Sequence, residues 1–237
     1  MRLFFAGIGA LSLAAALPAA AQQPLPIDAA KLAPHRDSMV VLVNGQPRGA
    51  SVWELRKTGD TLVVHELTAI GTVMRQETTV DLDRHGEVRR VSQSGVVRDV
   101  QGSIEIRYAA GRVTGQVRAV TPEGPKQFTV DTTVPPGTVD DNALQALLPS
   151  LPWAEGAEWS FLMYSAGANS LTEMVLRVVG VETAMVPAGA FDAYRVYLSG
   201  GEADVSFLIL KRAPHTVLKV EMTGAPLKFE LVSGGGL

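Results

Sequence analysis

Short runs of alternating apolar and polar residues, cut at regular intervals by turn formers, constrain this 237-residue chain more than any other feature. Ile104-Glu105-Ile106-Arg107-Tyr108 is apolar at even positions and charged at odd ones. Val113, Val117 and Ala119 share one side of their run, with Arg112, Thr114, Gln116 and Arg118 on the other. Phe128 and Val130 oppose Gln127, Thr129 and Asp131. A period of two sends successive side chains to opposite faces, so each run predicts a strand with one face buried and one wet. Between the runs stand Thr58-Gly59-Asp60, Asp83-Arg84-His85-Gly86, Ala109-Ala110-Gly111, Pro122-Glu123-Gly124, Ser199-Gly200-Gly201 and Thr223-Gly224. Connections this short join antiparallel neighbours. The pattern predicts about seven strands before residue 135 and about four to five after residue 157.

One interruption separates the two strand sets. Val134-Pro135-Pro136-Gly137 ends the first, and Asp140-Asp141-Asn142 leads into Ala143, Leu144, Leu147 and Leu148. Leucines at three- and four-residue spacing behind an Asp N-cap predict a short amphipathic helix, stopped by Pro149 and Pro152. Either this helix covers one face of a single sheet, or it belongs to a linker between two β domains; the single sheet is the expectation. Later runs are apolar on both faces: Trp159, Phe161 and Met163 against Leu162 and Tyr164, then Val205, Phe207 and Ile209 against Leu208 and Leu210. Such strands are covered on both sides, one cover being the helix and the other the curled interior of the same sheet. The expected fold is all-β, a large, strongly bent antiparallel meander (a half-barrel or open barrel) with one short helix packed against it. No period of 20–50 residues repeats, which argues against a solenoid or propeller. The expected boundaries are a lead-in over 22–37 and a single β domain over 38–233. Within that domain lie strand sets at 38–133 and 158–233 with the helix-containing connection 134–157; a tail covers 234–237.

The N-terminus carries Arg2, an apolar run from Leu3 to Leu17, and then Pro18-Ala19-Ala20-Ala21-Gln22. That is the layout of a secretory signal peptide over 1–21, cleaved after Ala21. Its apolar run of about 15 residues is shorter than the roughly 20 a spanning helix needs, and no second such run follows. The expected location is the periplasm or the cell exterior, with no membrane-spanning segment after cleavage. The chain has no cysteine, hence no disulfide, no thiolate nucleophile or metal ligand, and no lipid-anchor cysteine. With 21 basic and 24 acidic residues the net charge is −3; without a basic stripe, nucleic acid is not an expected partner.

Chemistry is sparsely written. His35, His65, His85 and His215 sit at no metal-ligand spacing, so neither a metal nor a cofactor is expected. His65 alternates with Val63 and Leu67 and reads as a packed ring; His85 sits in a turn. There is no Gly-x-Ser-x-Gly elbow, and no catalytic residue is assigned. Helix capping accounts for Asp140 and Asp141. The large apolar side chains are more suggestive. Trp53, Leu144, Leu148, Trp159, Phe161 and Phe207 are the candidate ligand-contacting set, the two leucines on the helix and the aromatics on the wall of a curved sheet. The alternative is that they simply form the core. Charged outer faces over 73–131, low aromatic content and the Gly-Gly-Gly-Leu end argue against an integral membrane barrel.

Residues 186–222 carry Pro187, Gly189, Phe191 and Asp192 ahead of one strand, and Pro214, Lys219 and Glu221 along another. This resembles exported bacterial β-proteins of the domain of unknown function 3108 family and, more remotely, lipoprotein-carrier half-barrels. The resemblance implies a bent antiparallel sheet around a short helix and supplies no catalytic residues. The functional expectation is an exported, non-enzymatic protein that binds an apolar or lipid-like ligand or an envelope partner. Two alternatives stand beside it: a structural component of an envelope complex without a small-molecule ligand, and an envelope hydrolase whose His/Asp/Ser site assembles only in space.

Overall fold

The computed structural model describes residues 24–121, 124–201, 203–235 and 237. The expected signal peptide and the turn residues Pro122 and Glu123 lie outside the described residues. Eight strands form the first set: β1 (His35–Val43), β2 (Gln46–Thr58), β3 (Thr61–Ile70), β4 (Met74–Leu82), β5 (Val88–Val97), β6 (Val100–Ala109), β7 (Arg112–Thr121) and β8 (Gly124–Thr133). A two-residue strand, β9 (Val139–Asp140), and a single helical turn, α1 (Leu144–Leu147), follow. The second set is β10 (Glu158–Ser165), β11 (Ser170–Val186), β12 (Gly189–Ser199), β13 (Val205–Leu210), β14 (Val217–Met222) and β15 (Leu227–Gly234).

All fifteen strands belong to one sheet, in the order β8 through β1, then β15 through β9. Within each of the two sets, consecutive strands pair antiparallel, as the short turns dictate. The sets meet where β1 pairs antiparallel with β15, Met39 opposite Leu231 and Val41 opposite Phe229. The other end stays open: β8 is one edge, and β9, paired in parallel with Met163 and Tyr164 of β10, is the other. The product is a curled open sheet, not a closed barrel.

The alternation read from the sequence sets the inner face. Ile104 and Ile106 are buried while Glu105 and Arg107 are exposed. Val91, Ile106 and Val130 lie in one inner row that crosses β7 at Gly115. A Cβ at Gly115 would lie 1.9 Å from Glu105 O, so that crossing admits no side chain. One continuous apolar cluster joins these residues to Phe161, Leu176, Val196, Phe207 and Ile209 from the second set.

The chain from residue 139 to 153 fills the concave side as a plug. Leu144, Leu147, Leu148, Leu151 and Trp153 are all buried within the same cluster. Four expectations need correction. The sets hold eight and six strands, because β1 starts inside the stretch read as lead-in and the second set carries one more hairpin strand than its turn signals suggested. The helix is one α turn followed by a 3-10 turn at Leu148–Ser150. Pro149 has no N–H to donate to the carbonyl four residues back, so the α ladder stops there. The N-cap is Ala143 with no side-chain cap bond; Asp140 is a strand residue with a different task. The ends are also tied more closely than a lead-in and tail imply: Leu25 and Leu32 are buried, and Gly235 N donates to Arg36 O at 3.2 Å.

The Pro187–Gly189 element turns the long β11–β12 hairpin, and Ala188 N donates to Leu231 O at 2.9 Å, pinning the tip to β15. If the plug is integral to the core, Leu148→Ala, at a fully buried site, is expected to cost about 2–5 kcal/mol. In urea unfolding the midpoint falls while the slope is unchanged; a loss below half a kcal/mol would mean the plug is only loosely seated.

Candidate functional site

The turn from β9 into the plug is organised by Asp140, whose side chain is wholly buried. Its Oδ1 accepts from the Asn142 backbone N at 2.9 Å and from Asn142 Nδ2 at 3.0 Å. An aspartate bonding its own chain two residues on makes a local turn, which is how the sequence leaves the sheet edge here. The other oxygen accepts the phenol proton of Tyr108 at the end of β6. Asn142 Oδ1 accepts from Gln93 Nε2 of β5 at 2.9 Å, and Gln93 also reaches Thr78 Oγ1 on β4 at 3.2 Å. On the opposite wall Asp141 N donates to Tyr164 O at 3.1 Å, and Tyr164 OH donates to Asn169 Oδ1 at 2.8 Å. The Tyr108 and Tyr164 rings meet edge-on, 6.4 Å between centroids. These bonds form a polar clasp that holds the plug to both strand sets.

Electrostatics sharpen the picture. Neither Asp140 nor Asp141 has an arginine, lysine or histidine partner among the described residues. Burial pushes the Asp140 carboxyl above its usual range, against the bonds from Tyr108 and Asn142. Asp141 keeps solvent contact, yet the surrounding protein and the charge of Asp140 push its carboxyl up to about 7. The Tyr108 phenol is raised by burial and then by Asp140, so it stays protonated and acts only as a donor. Burial, then Asp140 and Asp141, push the Tyr164 phenol up to about 12.

Beside the clasp opens a cleft of about 340 Å³. Tyr108 belongs to both, and Val139 of the cleft immediately precedes Asp140. Its other walls are the β4–β5 turn at 85–89, the β6–β7 turn at 109–111, the 134–138 segment, Leu147 of the plug, and Pro24, Leu25 and Ile27. Two glycines let these loops approach the N-terminal segment. Gly86 has φ +82°, and a Cβ there would lie 2.9 Å from Ile27 Cγ2; Gly137 has φ +79°, and a Cβ would lie 2.6 Å from Pro24 Cβ. Both positions need a residue that tolerates positive φ and carries no side chain.

The residues singled out from the sequence are distributed differently. Leu144, Leu148, Phe161 and Phe207 are buried in the shared core, and Trp53 and Trp159 pack half-buried against it. None of Leu144, Leu148, Trp159, Phe161 and Phe207 lines the cleft. Trp53 borders a separate cavity of about 20 Å³ with His35, Asp37 and Gln145, room for a single water. Trp159 meets Trp153 edge-on at 5.5 Å. In the sequence Tyr108 and the turns that wall the cleft read only as strand and turn residues. Asp140-Asp141-Asn142 did, as three consecutive polar residues between two apolar segments, but a helix cap explained them too readily.

Among the described residues no group of three or more His, Asp or Glu could hold a metal. His65 is half-buried and bonds Glu77 at 2.8 Å, while His35 faces Ala33 O and His215 faces Leu210 O. His85 accepts from Arg84 at 3.0 Å. No hydroxyl is hydrogen-bonded to any of these rings among the described residues.

A curled, open, all-β sheet with a helical-turn plug is the class of protein these features define. The chain belongs to the family described as protein of unknown function (DUF3108), whose family pattern matches residues 41–232. The likeness read in residues 186–222 thus extends across nearly the whole sheet. Among solved structures it is similar to a beta-barrel-like protein of domain of unknown function DUF1849 from Brucella abortus. That match has 14% identity and a TM-score of 0.54, covering 87% of this chain and 98% of the other. A candidate exported protein with a YmcC-like fold from Bacteroides fragilis aligns at 10% identity over 84% of this chain and 94% of its own, with a TM-score of 0.29. No curated protein matches. No helix among the described residues is long and apolar enough to cross a membrane.

The clasp generates a pH dependence with a definite sign. The native state holds the Asp141 proton from its ordinary value of 3.8 up to about 7, so in that window it binds more protons than the unfolded chain. Stability therefore falls as pH rises through the window and levels off above it. Asp140, Asp37 and Glu66, raised by burial, add the same sign. Urea midpoints are expected to be higher at pH 5 than at pH 8, with Asp141→Asn shrinking the difference; an unchanged difference would remove Asp141 from the account. Tyr108→Phe strips a donor from a buried carboxyl and is expected to cost about 1–3 kcal/mol.

Proposed function

We propose that this is an exported, non-enzymatic binding protein of the bacterial envelope, and that the cleft beside the clasp receives an apolar ligand or an apolar segment of an envelope partner. The observation that carries the reading is the cleft itself. At about 340 Å³ it falls in the range typical of small-molecule sites, whereas the concave face of the sheet is already filled by the plug. Pro24, Leu25, Ile27, Val88, Val134, Pro135 and Pro136 give it apolar walls, with His85, Glu87, Arg89 and Thr138 among its polar lining. Export is supported by the N-terminal leader, with its basic start, apolar run and Ala-x-Ala end. The Trp53 cavity is too small for anything but water.

A hydrophobic dye is expected to brighten on binding the fully folded protein, at one site per chain. Ala109→Trp, on an exposed cleft wall, is expected to weaken that binding about tenfold or more by removing room for two or more methylenes, while changing the unfolding free energy by no more than about half a kcal/mol. No brightening at high protein concentration, or equal brightening in the variant, would contradict the cleft as the site.

A further inference from the structure

One long edge of the sheet has no partner strand. β8 is 10 residues long and stands at the end of the strand order. Its register with β7 runs unbroken from Arg112 opposite Thr133 to Thr121 opposite Gly124. Just beyond that ladder Val134 N donates to Gly111 O at 2.8 Å, which fixes the phase of the bonding. In an antiparallel pair every second residue bonds its neighbour with both N–H and C=O. Lys126, Phe128, Val130 and Thr132 therefore face β7, and Gln127, Thr129, Asp131 and Thr133 turn their backbone groups to the open edge. Among the described residues none of those outward amides donates to another group.

Sheets protect such edges by keeping the strand short, or with a proline, a bulge or a charge turned inward. The opposite edge, β9, is only 2 residues long. On β8 the one proline is Pro125, next to the start, and no bulge breaks the register. Its outward amides remain a template for another strand.

The strand that fits is its own reverse. Place a two-fold axis through Thr129, perpendicular to the sheet. Thr129 then opposes itself, Gln127 opposes the second copy's Asp131, and Pro125 opposes the second copy's Thr133. Each outward N–H meets a carbonyl, and the N–H that Pro125 lacks is missed only at the end of the strand. On the outer face the second copy's Asp131 enters the row of Gln127 and Arg118, which are opposite one another. Arg118 has no ion pair among the described residues. On the inner face the exposed Lys126 opposes the second copy's Thr132. Moving the axis by one residue in either direction would set Lys126 against Val130 or Val134, both buried apolar residues.

We infer that two copies of this chain pair antiparallel through β8, about Thr129, so that one sheet runs across both. No residue of Gly124–Thr133 lines the cleft, so this inference stands apart from the ligand-binding reading.

The test is sedimentation equilibrium of the whole protein over a concentration series, with amide hydrogen exchange at each concentration. A monomer–dimer equilibrium is expected, with exchange at Gln127, Thr129, Asp131 and Thr133 slowing as the dimer fills. Thr129→Lys and Thr129→Glu each set like charges directly opposite on the axis, and each is expected to weaken self-association about fivefold. Their equimolar mixture is expected to restore it, because Lys then opposes Glu. Thr129 is exposed, so neither change is expected to move the unfolding free energy by more than about half a kcal/mol. A wild-type chain that stays monomeric throughout, including one whose β8 amides are protected only by an added extended peptide, would overturn the inference. So would a dimer that neither variant weakens, or a mixture that associates no better than its components.

Discussion

Everything in this molecule depends on the pairing of its first strand with its last. A chain of consecutive hairpins has no intrinsic reason to bring its ends together, and each set alone would leave a long unpaired edge. The ladder from Asp37 opposite Gly234 to Val43 opposite Leu227 removes two such edges at once. It also leaves the break in the sheet at the middle of the chain, between β8 and β9. The connecting segment therefore starts at one free edge and must cross to the other. Its leucines take the concave side because that is where the inner faces of both sets expose apolar surface. The plug is a consequence of where the sheet is cut.

That geometry explains why polar chemistry gathers at residues 139–142. A chain leaving a sheet edge for an apolar interior has backbone groups to satisfy and no ladder to satisfy them. Asp140 does so locally, bonding Asn142 twice, and Tyr108 and Gln93 complete the set from the facing strands. The result is a buried carboxyl beside a second carboxyl with neutral donors around them. Such a pair keeps a proton near neutrality because two adjacent charges without a cation are costly in a low-dielectric site. The same turn shapes one wall of the cleft, since Tyr108 serves both and Val139 immediately precedes Asp140.

Much of the fold is legible in the residues. The period-two runs of β6, β7 and β8 and the turns after them specify strand, face and neighbour, because hairpin pairing is local. The meeting of β1 with β15 is not local, and nothing in His35–Val43 or Leu227–Gly234 names its partner. The site was harder still. Trp53, Trp159, Phe161 and Phe207 attract attention by size, but large apolar side chains serve first as core. The cleft is built largely from turn residues, among them prolines, alanines and glycines whose contribution is shape. Only the geometry of the turns, with positive φ at Gly86 and Gly137, brings Pro24 and Ile27 against them.

The most direct test of the account is a crystal structure of the protein grown with a neutral long-chain alcohol. The account predicts one extended alkyl chain lying between Pro24, Val88 and Pro136, with Leu148 and the rest of the plug unmoved. A chain found instead on the concave face against Phe161 and Phe207, with the plug displaced, would contradict it.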